Sequence, residues 1–383
     1  MTDWTDWPFF DDEHRALEGE VRDWAQKNLS HAHGSDVDAE CRTIVVMLGR
    51  AGFLEHTVAH NGDLPDVRRL AIIRAALAYQ AGLADFSFAM QGLGSGAISL
   101  FGGDEIKKIW LPRVGKGEAI AAFALTEPDT GSDVAAISTT GTRDTDGYVI
   151  NGAKSFISNG TIADVVTLFA RTGSPEDGAR GLSAFVLPVS TPGLTVSRRI
   201  NTIAPHPLAE LSLENVRVSD GCRLGEEGDG FKIAMQTLNL FRVTVGAAAL
   251  GFARRALDEA LAFSRERNLG GAPLADHPVT QARLADMATS LDASALLIAR
   301  AAYEQDMRPG EDHRREAAMA KLHATEEAQS IIDAAVQLHG GRGVEVGSKV
   351  EELYREIRAL RIYEGASEVQ RQVIGKTLVK EGR

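Results

Sequence analysis

Apolar residues recur at helical spacing over the first third of the chain. In DEHRALEGEVRDWAQKNL, Leu17, Val21 and Trp24 stand at i, i+4 and i+7, which puts them on one face and predicts a helix that buries it. DVRRLAIIRAALAYQAGL, alanine-rich with a polar side, predicts a second helix; DEIKKIWLPRVGKG predicts a third that starts on acidic residues and stops at Pro112 and Gly115. After Ala121 the pattern changes. As far as about Gly230, short apolar runs (YVI, VVTLFA, LSAFVLPV, LTV, LSL, VRV) alternate with the turn dipeptides Asp146-Gly147, Asn151-Gly152, Asn159-Gly160 and Pro192-Gly193. Strands at this spacing with no helix between them predict a small barrel or sandwich rather than a βαβ sheet. Beyond Gly230 the helical period returns in FKIAMQTLNLFRVTVGAAALGFARRALDEALAFSRER, which lacks proline and is long enough to span a domain. Further helical patterns in QARLADMATSLDASALLIARAAYEQ, REAAMAKLHATEEAQSIIDAAVQLHG and KVEELYREIRALRIYEG complete a C-terminal four-helix bundle. The expected architecture is α+β and multidomain: a helical domain over residues 1–120, a β-barrel over 121–230 and a helical bundle over 231–383.

Composition narrows the function classes. A chain of 383 residues with 44% hydrophobic and 25% charged positions is globular and long enough for two or three domains. Its formal net charge of −12 opposes a sequence-independent hold on nucleic acid, which needs clustered cations. Cys41 and Cys222 stand far apart without a CxxC, so neither a zinc site nor a disulfide framework is signalled, and a cytoplasmic or other reducing location is expected. The opening MTDWTDWPFFDDEH is acidic where an export signal is basic and then apolar. The longest uncharged run, residues 86–103, is diluted by five glycines, Gln91 and three serines, which makes a poor membrane span. Within it GLGSGA lacks dinucleotide spacing and no strand precedes it, so helix packing or pocket shape is its better reading. His313, His323 and His339 lack metal-ligand spacing and read as surface or packing residues; no metal is expected.

The strings that carry chemistry are FALTEPDTGSD (residues 123–133), KSFISNG (154–160), QLHGGRG (337–343) and IYEGASEVQR (362–371). Each alone is compatible with a turn or a cap. In this order on an α-β-α background, the chain resembles the acyl-CoA dehydrogenase family of flavoenzymes over essentially its whole length.

The resemblance implies a role for each string. FALTEPDTGSD is similar to the family's Y-x-x-T-E-P-x-x-G-S-D loop, where backbone groups of Phe123 and Leu125 and the hydroxyl of Thr126 would bond the flavin ring of FAD, and Ser132 would meet the coenzyme A arm. Pro128 and Gly131 shape a loop whose polar groups are free to face a ligand. KSFISNG is similar to K-x-W-I-T-N-G, in which the aromatic packs on a flavin face and the hydroxyl reaches N5, the hydride acceptor. Phe156 replaces the tryptophan and Ser158 the threonine, on either side of Ile157, and both keep the needed group: a flat apolar wall and a hydroxyl donor. IYEGASEVQR is similar to I-Y-E-G-T-S-E-I-Q, which makes Glu364 the base that takes an α-proton beside a thioester while hydride leaves the β-carbon. A glutamate in an apolar, water-poor cleft has its pKa raised toward the operating pH. The Glu364 N–H, with a flavin ribityl hydroxyl, is the family's donor pair for the thioester carbonyl. By the same match Gly365 falls to the substrate, and Ala366 and Glu368 to the cofactor.

Some members carry the base on the long C-terminal-domain helix, just before an arginine. That position is Phe241, which cannot accept a proton, so the resemblance gives the base to Glu364 and leaves Arg242 to order it by charge and touch the substrate. Asn239 stands where many relatives have an aspartate near the coenzyme A arm, and residues 86–100 and 235–241 are expected to line the acyl pocket, with Phe241 shortening or bending it. The FAD tail site departs most. The family's R-x-x-F-G is Arg267-Asn268-Leu269-Gly270-Gly271, a glutamine near the adenine is replaced by Pro278, and the threonine after E-G by Ala366, while Gln337, Gly340 and Gly341 of Q-x-x-G-G remain. The resemblance thus implies FAD between barrel and bundle, shared across a dimer and held by a weakened tail site, in a homotetramer or with a related second subunit. It implies an acyl-CoA dehydrogenase that passes electrons to an electron-transferring flavoprotein. The rivals are an acyl-CoA oxidase, a nitroalkane-oxidase-like flavoenzyme, or a catalytically silent helical scaffold, hetero-oligomer subunit or nucleic-acid-associated relative.

Overall fold

The computed structural model describes residues 3–29, 36–60 and 62–381. Helices α1 (Asp12–Asn28), α2 (Val37–Arg50), α3 (Val67–Gln80), α4 (Gly82–Phe101) and α5 (Asp104–Gly115) come first. Strands β1 (Ala121–Ala124), β2 (Thr140–Asp144), β3 (Gly147–Ser158), β4 (Val165–Arg171), β5 (Leu182–Pro188), β6 (Leu194–Ile200), β7 (Leu208–Ser219) and β8 (Arg223–Leu224) follow. The chain ends in α6 (Gly230–Glu266), a hairpin of β9 (Asn268–Leu269) and β10 (Ala272–Pro273), then α7 (Pro278–Met307), α8 (Arg314–His339), α9 (Lys349–Leu360) and α10 (Ser367–Glu381). The α, β, α order is that expected. The backbone forms two compact units, Met1–His31 with Asp66–Asp85 and Arg242–Arg383, and Ala32–Pro65 with Phe86–Phe241; two of the boundaries fall inside helices, α4 and α6.

In the second unit, β1 to β8 form one sheet in the order β6-β7-β3-β2-β4-β5-β8, with β1 parallel to β4. Residues of one sheet face, from Leu194 on β6 to Phe185 and Leu187 on β5, gather in a single buried cluster with Tyr148, Ile150, Val166, Leu168, Leu211 and Leu213. Those strands lie at opposite ends of the order, so the sheet rolls around its own side chains as a barrel does. The opposite face of β4 and β5, with Val165, Phe169, Ala184 and Val186, packs in a second cluster with Ala97 and Ile98 of α4.

α4 has almost no solvent-exposed face: its stripe of Ser87, Gln91, Ser95 and Ser99 is buried, with Gln91 donating to Ala119 O at 2.8 Å and accepting the Ala121 N–H at 2.9 Å, so it is a core helix. Gly92, Gly94 and Gly96 serve close packing. A Cβ at Gly94 would stand 2.7 Å from the Cβ of Ala121 on β1, and Cβ atoms at Gly92 and Gly96 would stand 2.7 and 2.6 Å from the Phe241 ring. Positions 92 and 96 share a face at i, i+4, and Phe241 fills the notch they leave.

The turn pattern differs from expectation in two strands. Asn151-Gly152 lies inside β3, where the register against β7 shifts between Ile150 and Gly152, and LSL and VRV are halves of the single strand β7. Asn151 Oδ1 accepts the Asn215 N–H at 2.7 Å, with Asn215 at φ 52, so the dipeptide makes a bulge rather than a turn. α5 likewise continues through Pro112 to Gly115.

In the first unit α8 packs against α7, α9 and α10, and α3 against α1 and α7. α6 approaches α7 and α8 at Gly246, where a Cβ would stand 3.2 Å from Ile298 and 3.3 Å from the Ala320 carbonyl. Among the described residues α6 has the length and composition to cross a membrane, but 78% of its most apolar window is buried inside the protein.

Candidate active site

Between α9 and α10 the chain turns through two left-handed residues, Glu364 at φ 52 and Gly365 at φ 88. A non-glycine residue there is strained and needs support. Gln370, fully buried on α10, donates from Nε2 to Gly365 O at 2.8 Å and Glu364 O at 3.3 Å, and Lys321 Nζ, buried on α8, donates to Gly365 O at 2.8 Å. A Cβ at position 365 would stand 2.5 Å from Gln370 Nε2, so a side chain there would both strain the backbone and displace the Gln370 amide.

The Glu364 side chain is partly buried, and its Oε2 is withdrawn from solvent without a hydrogen-bond partner. Burial raises its pKa, against the pull of Arg74, Lys321 and Arg242. Arg74, buried on α3, donates from Nε and Nη2 to the two Asp85 oxygens at 2.8 Å each and from Nη1 to Thr244 Oγ1 at 3.1 Å. Burial disfavours the Arg74 charge, and Asp85 outweighs that, so its pKa is raised. Arg242 is buried on α6, and burial lowers its pKa against the pull of Glu364. Burial also brings Lys321 down to about 8.

In the β unit the flavin-type strings are joined by an ion pair the sequence reading passed over. Lys154 on β3 and Glu127 in the loop after β1 are buried; Lys154 Nζ bonds Glu127 Oε1 at 2.8 Å and Leu125 O at 3.2 Å. Glu127 also accepts the backbone N–H groups of Ser138 at 2.6 Å and Thr139 at 2.9 Å. The Ser155 N–H donates to Thr126 O at 2.9 Å, so the start of the 123–133 loop is tied to β3 at Leu125, Thr126 and Glu127, and Asn159 Nδ2, just past β3, donates to Ala121 O on β1 at 3.0 Å. Between Lys154 and Ile157 the β3 register slips and Phe156 turns left-handed at φ 54, which leaves its ring 58% exposed while Ile157 is buried. The Thr126 and Ser158 hydroxyls make no hydrogen bond among the described residues. An exposed ring flanked by unspent hydroxyls suits the face and edge of a flavin. Phe123 and Leu125 flank Ala124 where β1 runs into this loop, and Ser132 is exposed at its far end. Asn239 and Phe241 lie on α6, the latter buried in the α4 notch.

Arg267, Gln337, Gly340, Gly341 and Glu368 are exposed on the helical unit, Ala366 partly so. The lost aromatic of R-x-x-F-G has a local cause: Gly270 and Gly271, at φ 63 and 90, form the two-residue turn of the β9–β10 hairpin, where both central residues need positive φ. Pro278 is the first residue of α7, a position that suits its missing N–H. Sequence reading brought out Glu364 and Arg242 but not Arg74, Asp85, Lys321 or Gln370. The available signal was a lone charge in an apolar helix, as at Arg74 in RLAIIRAALAYQ and Asp85 in GLADFSFAMQ.

A rolled sheet in an otherwise largely helical chain, loops that could hold a flavin and a partly buried glutamate on a left-handed turn fit a flavin-dependent oxidoreductase. Models of the acyl-CoA dehydrogenase N-terminal, middle and C-terminal domains match residues 11–118, 122–216 and 228–379, and the chain belongs to the acyl-CoA dehydrogenase family. It is 36% identical over 380 residues to the 3-(aryl)acrylate reductase of Clostridium sporogenes, covering 97% of this chain and 100% of that one. It is 38% identical over 378 residues to the mitochondrial short-chain specific acyl-CoA dehydrogenase of Homo sapiens, covering 97% and 91%. The solved butyryl-CoA dehydrogenase of Megasphaera elsdenii matches with a TM-score of 0.89 at 30% identity, over 97% of this chain and 99% of that one. The protein is a flavoprotein oxidoreductase acting on CH–CH bonds, with FAD as cofactor.

Proposed function

We propose that the protein dehydrogenates an acyl-CoA thioester between its α- and β-carbons, with Glu364 as the base and an electron-transferring flavoprotein as electron acceptor. The observation that carries this is the Glu364 carboxylate, raised in pKa by burial, with an oxygen that has no protein partner. Bound FAD supplies the acceptor for the β-hydride. Thr126, Ser158 and the Phe156 ring would hold its ring system, and Arg267, Gln337, Gly340 and Gly341 its tail. Glu364 takes the α-proton onto its carboxylate as the carbon–carbon double bond forms, and its N–H polarises the thioester carbonyl. Arg242 orders the carboxylate by charge, and Ser132 and Asn239 reach for the coenzyme A arm. Because burial raises the Glu364 pKa, activity is lost as pH falls through that value and the base becomes protonated.

A cytoplasmic homotetramer belongs to the same reading. The exposed Leu269, Val279, Val344 and Val346 of the helical unit support self-association, which sedimentation of the purified protein would check.

The test is anaerobic titration of the FAD-replete protein with butyryl-, isobutyryl-, cyclohexanecarbonyl- and 3-phenylpropionyl-CoA, following flavin absorbance. Bleaching by one class, slowed roughly 10²–10⁴-fold in Glu364→Gln, is the expected result; a Glu364→Gln protein that bleaches at the wild-type rate sinks the assignment. The clostridial relative is named as a reductase, which favours a second reading with the same residues run in reverse. Oxidation of the pre-reduced flavin by an enoyl-CoA or a 3-arylacrylate separates the two.

A further inference from the structure

Lys321 is fully buried on α8, and its Nζ makes one hydrogen bond and no ion pair among the described residues. Burying an ammonium costs several kcal/mol, and a single carbonyl offsets only part of it. That carbonyl, Gly365 O, also accepts from Gln370, so supporting the turn does not call for a charge at position 321. The adjacent carboxylate does. The charged and titratable groups that act on Glu364 are Arg74 from α3, Asp85 from α4, Arg242 from α6, Lys321 from α8 and Tyr363 on its own turn. Those acting on Lys321 are Glu364, Arg242, Glu326 and Glu368. Arg74, held by both oxygens of Asp85, exerts the largest pull on Glu364 and Lys321 the next, while the opposing effect of Asp85 is smaller than either. Lys321 has no such partner.

We propose that Lys321 is a positioning residue for the reaction, fixing the Glu364–Gly365 turn through Gly365 O and supplying, alongside Arg74 and Arg242, positive charge that keeps the Glu364 carboxylate ionised where it acts as a base. The proposal rests on the reading of Glu364 as that base. With a pKa of about 8, Lys321 is charged through the neutral range. Removing that charge leaves the desolvation of Glu364 less opposed, so the Glu364 pKa rises further and the acid limb of the pH–rate profile moves to higher pH.

Lys321→Gln keeps a donor for Gly365 O and removes the charge. The readout is the anaerobic bleaching rate of the holoenzyme against pH, using whichever of the four thioesters bleaches it fastest. The expected result is an acid limb shifted up by about one pH unit, roughly tenfold slower on that limb and recovering at high pH, with the wild-type limb restored in Lys321→Arg. Uniform slowing at every pH, or an unchanged profile, overturns the proposal. Should Lys321→Gln not retain flavin, Gln370→Leu carries the test, since it removes the other donor to Gly365 O and no charge. Uniform slowing with the acid limb in place supports the division of roles, and a shifted limb overturns it. Glu364→Gln separates the two failures: if it stays active, the base assignment and this proposal fall together. If it is inactive while the Lys321→Gln limb coincides with wild type, only this proposal falls.

Discussion

Lys154→Met removes the cation of a buried ion pair and leaves Glu127 in place, 4% exposed. The variant keeps the donors at Ser138 and Thr139 but loses the 2.8 Å bond to Nζ and the tether of Nζ to Leu125 O. Breaking a buried pair from one side costs about 3–5 kcal/mol, because the remaining charge is uncompensated. At roughly 2–4 °C per kcal/mol for a unit of this size, the melting temperature falls by roughly 6–20 °C. Adding Glu127→Gln removes the stranded charge and keeps an acceptor for the two backbone donors, so the double variant should melt above the single one. The pH dependence carries a sign. Lys154 and the loop donors pull Glu127 down to about 2 despite its burial, so its contribution is whole above the ordinary carboxylate range and is lost as pH falls through about 2. In Lys154→Met the Glu127 pKa rises and the acid loss starts at higher pH. Burial lowers Lys154 to about 8, so wild type carries the full cost of that charge below about 8 and is relieved as pH rises past it; the variant shows no such gain. Melting of the FAD-bound proteins between about pH 2 and 10, with released flavin fluorescence as a second signal, reads all of this. Single and double variants that melt together, or a single variant within about 1 °C of wild type, would refute the reasoning.

Gly365→Ala forces a Cβ to 2.5 Å from Gln370 Nε2 at a backbone of φ 88. It should cost about 1–3 kcal/mol of stability and lower kcat more than it raises KM, read by melting and steady-state kinetics. Phe241→Ala empties the notch against Gly92 and Gly96, at about 3–5 kcal/mol of stability, and should broaden the accepted acyl lengths; an unchanged chain-length profile in a folded variant removes Phe241 as the determinant. With Gly270, Pro278 and Ala366 at the tail site, protein expressed alone should lose FAD on extended dialysis; stoichiometric flavin surviving that treatment contradicts a weakened anchorage.

The order of helices and strands was legible from the sequence because amphipathic elements carry their period in the residues themselves, as Leu17, Val21 and Trp24 do on α1. α4 escaped for the opposite reason: it is buried on nearly every side, and its only polar stripe, Ser87, Gln91, Ser95 and Ser99, is uncharged and interleaved with glycines. β1 and β2 escaped because AAFA and TGTRD are too short to alternate visibly, and they become strands by pairing with β4 and β3. Glu364, Arg242, Phe156 and Ser158 were legible through strings whose local order is itself the motif. Beyond Arg242, what acts on Glu364 was not. Arg74, Asp85, Lys321 and Gln370 come from four different helices, and a lone lysine in an alanine-rich helix reads as a surface cation until folding buries it. The sequence by itself determined the residue types and the period of the amphipathic helices and longer strands. Tertiary structure alone decided which charges share a low-dielectric site, because the Coulomb and desolvation energies that set the Glu364 pKa depend on distance and burial, which the order of residues does not encode.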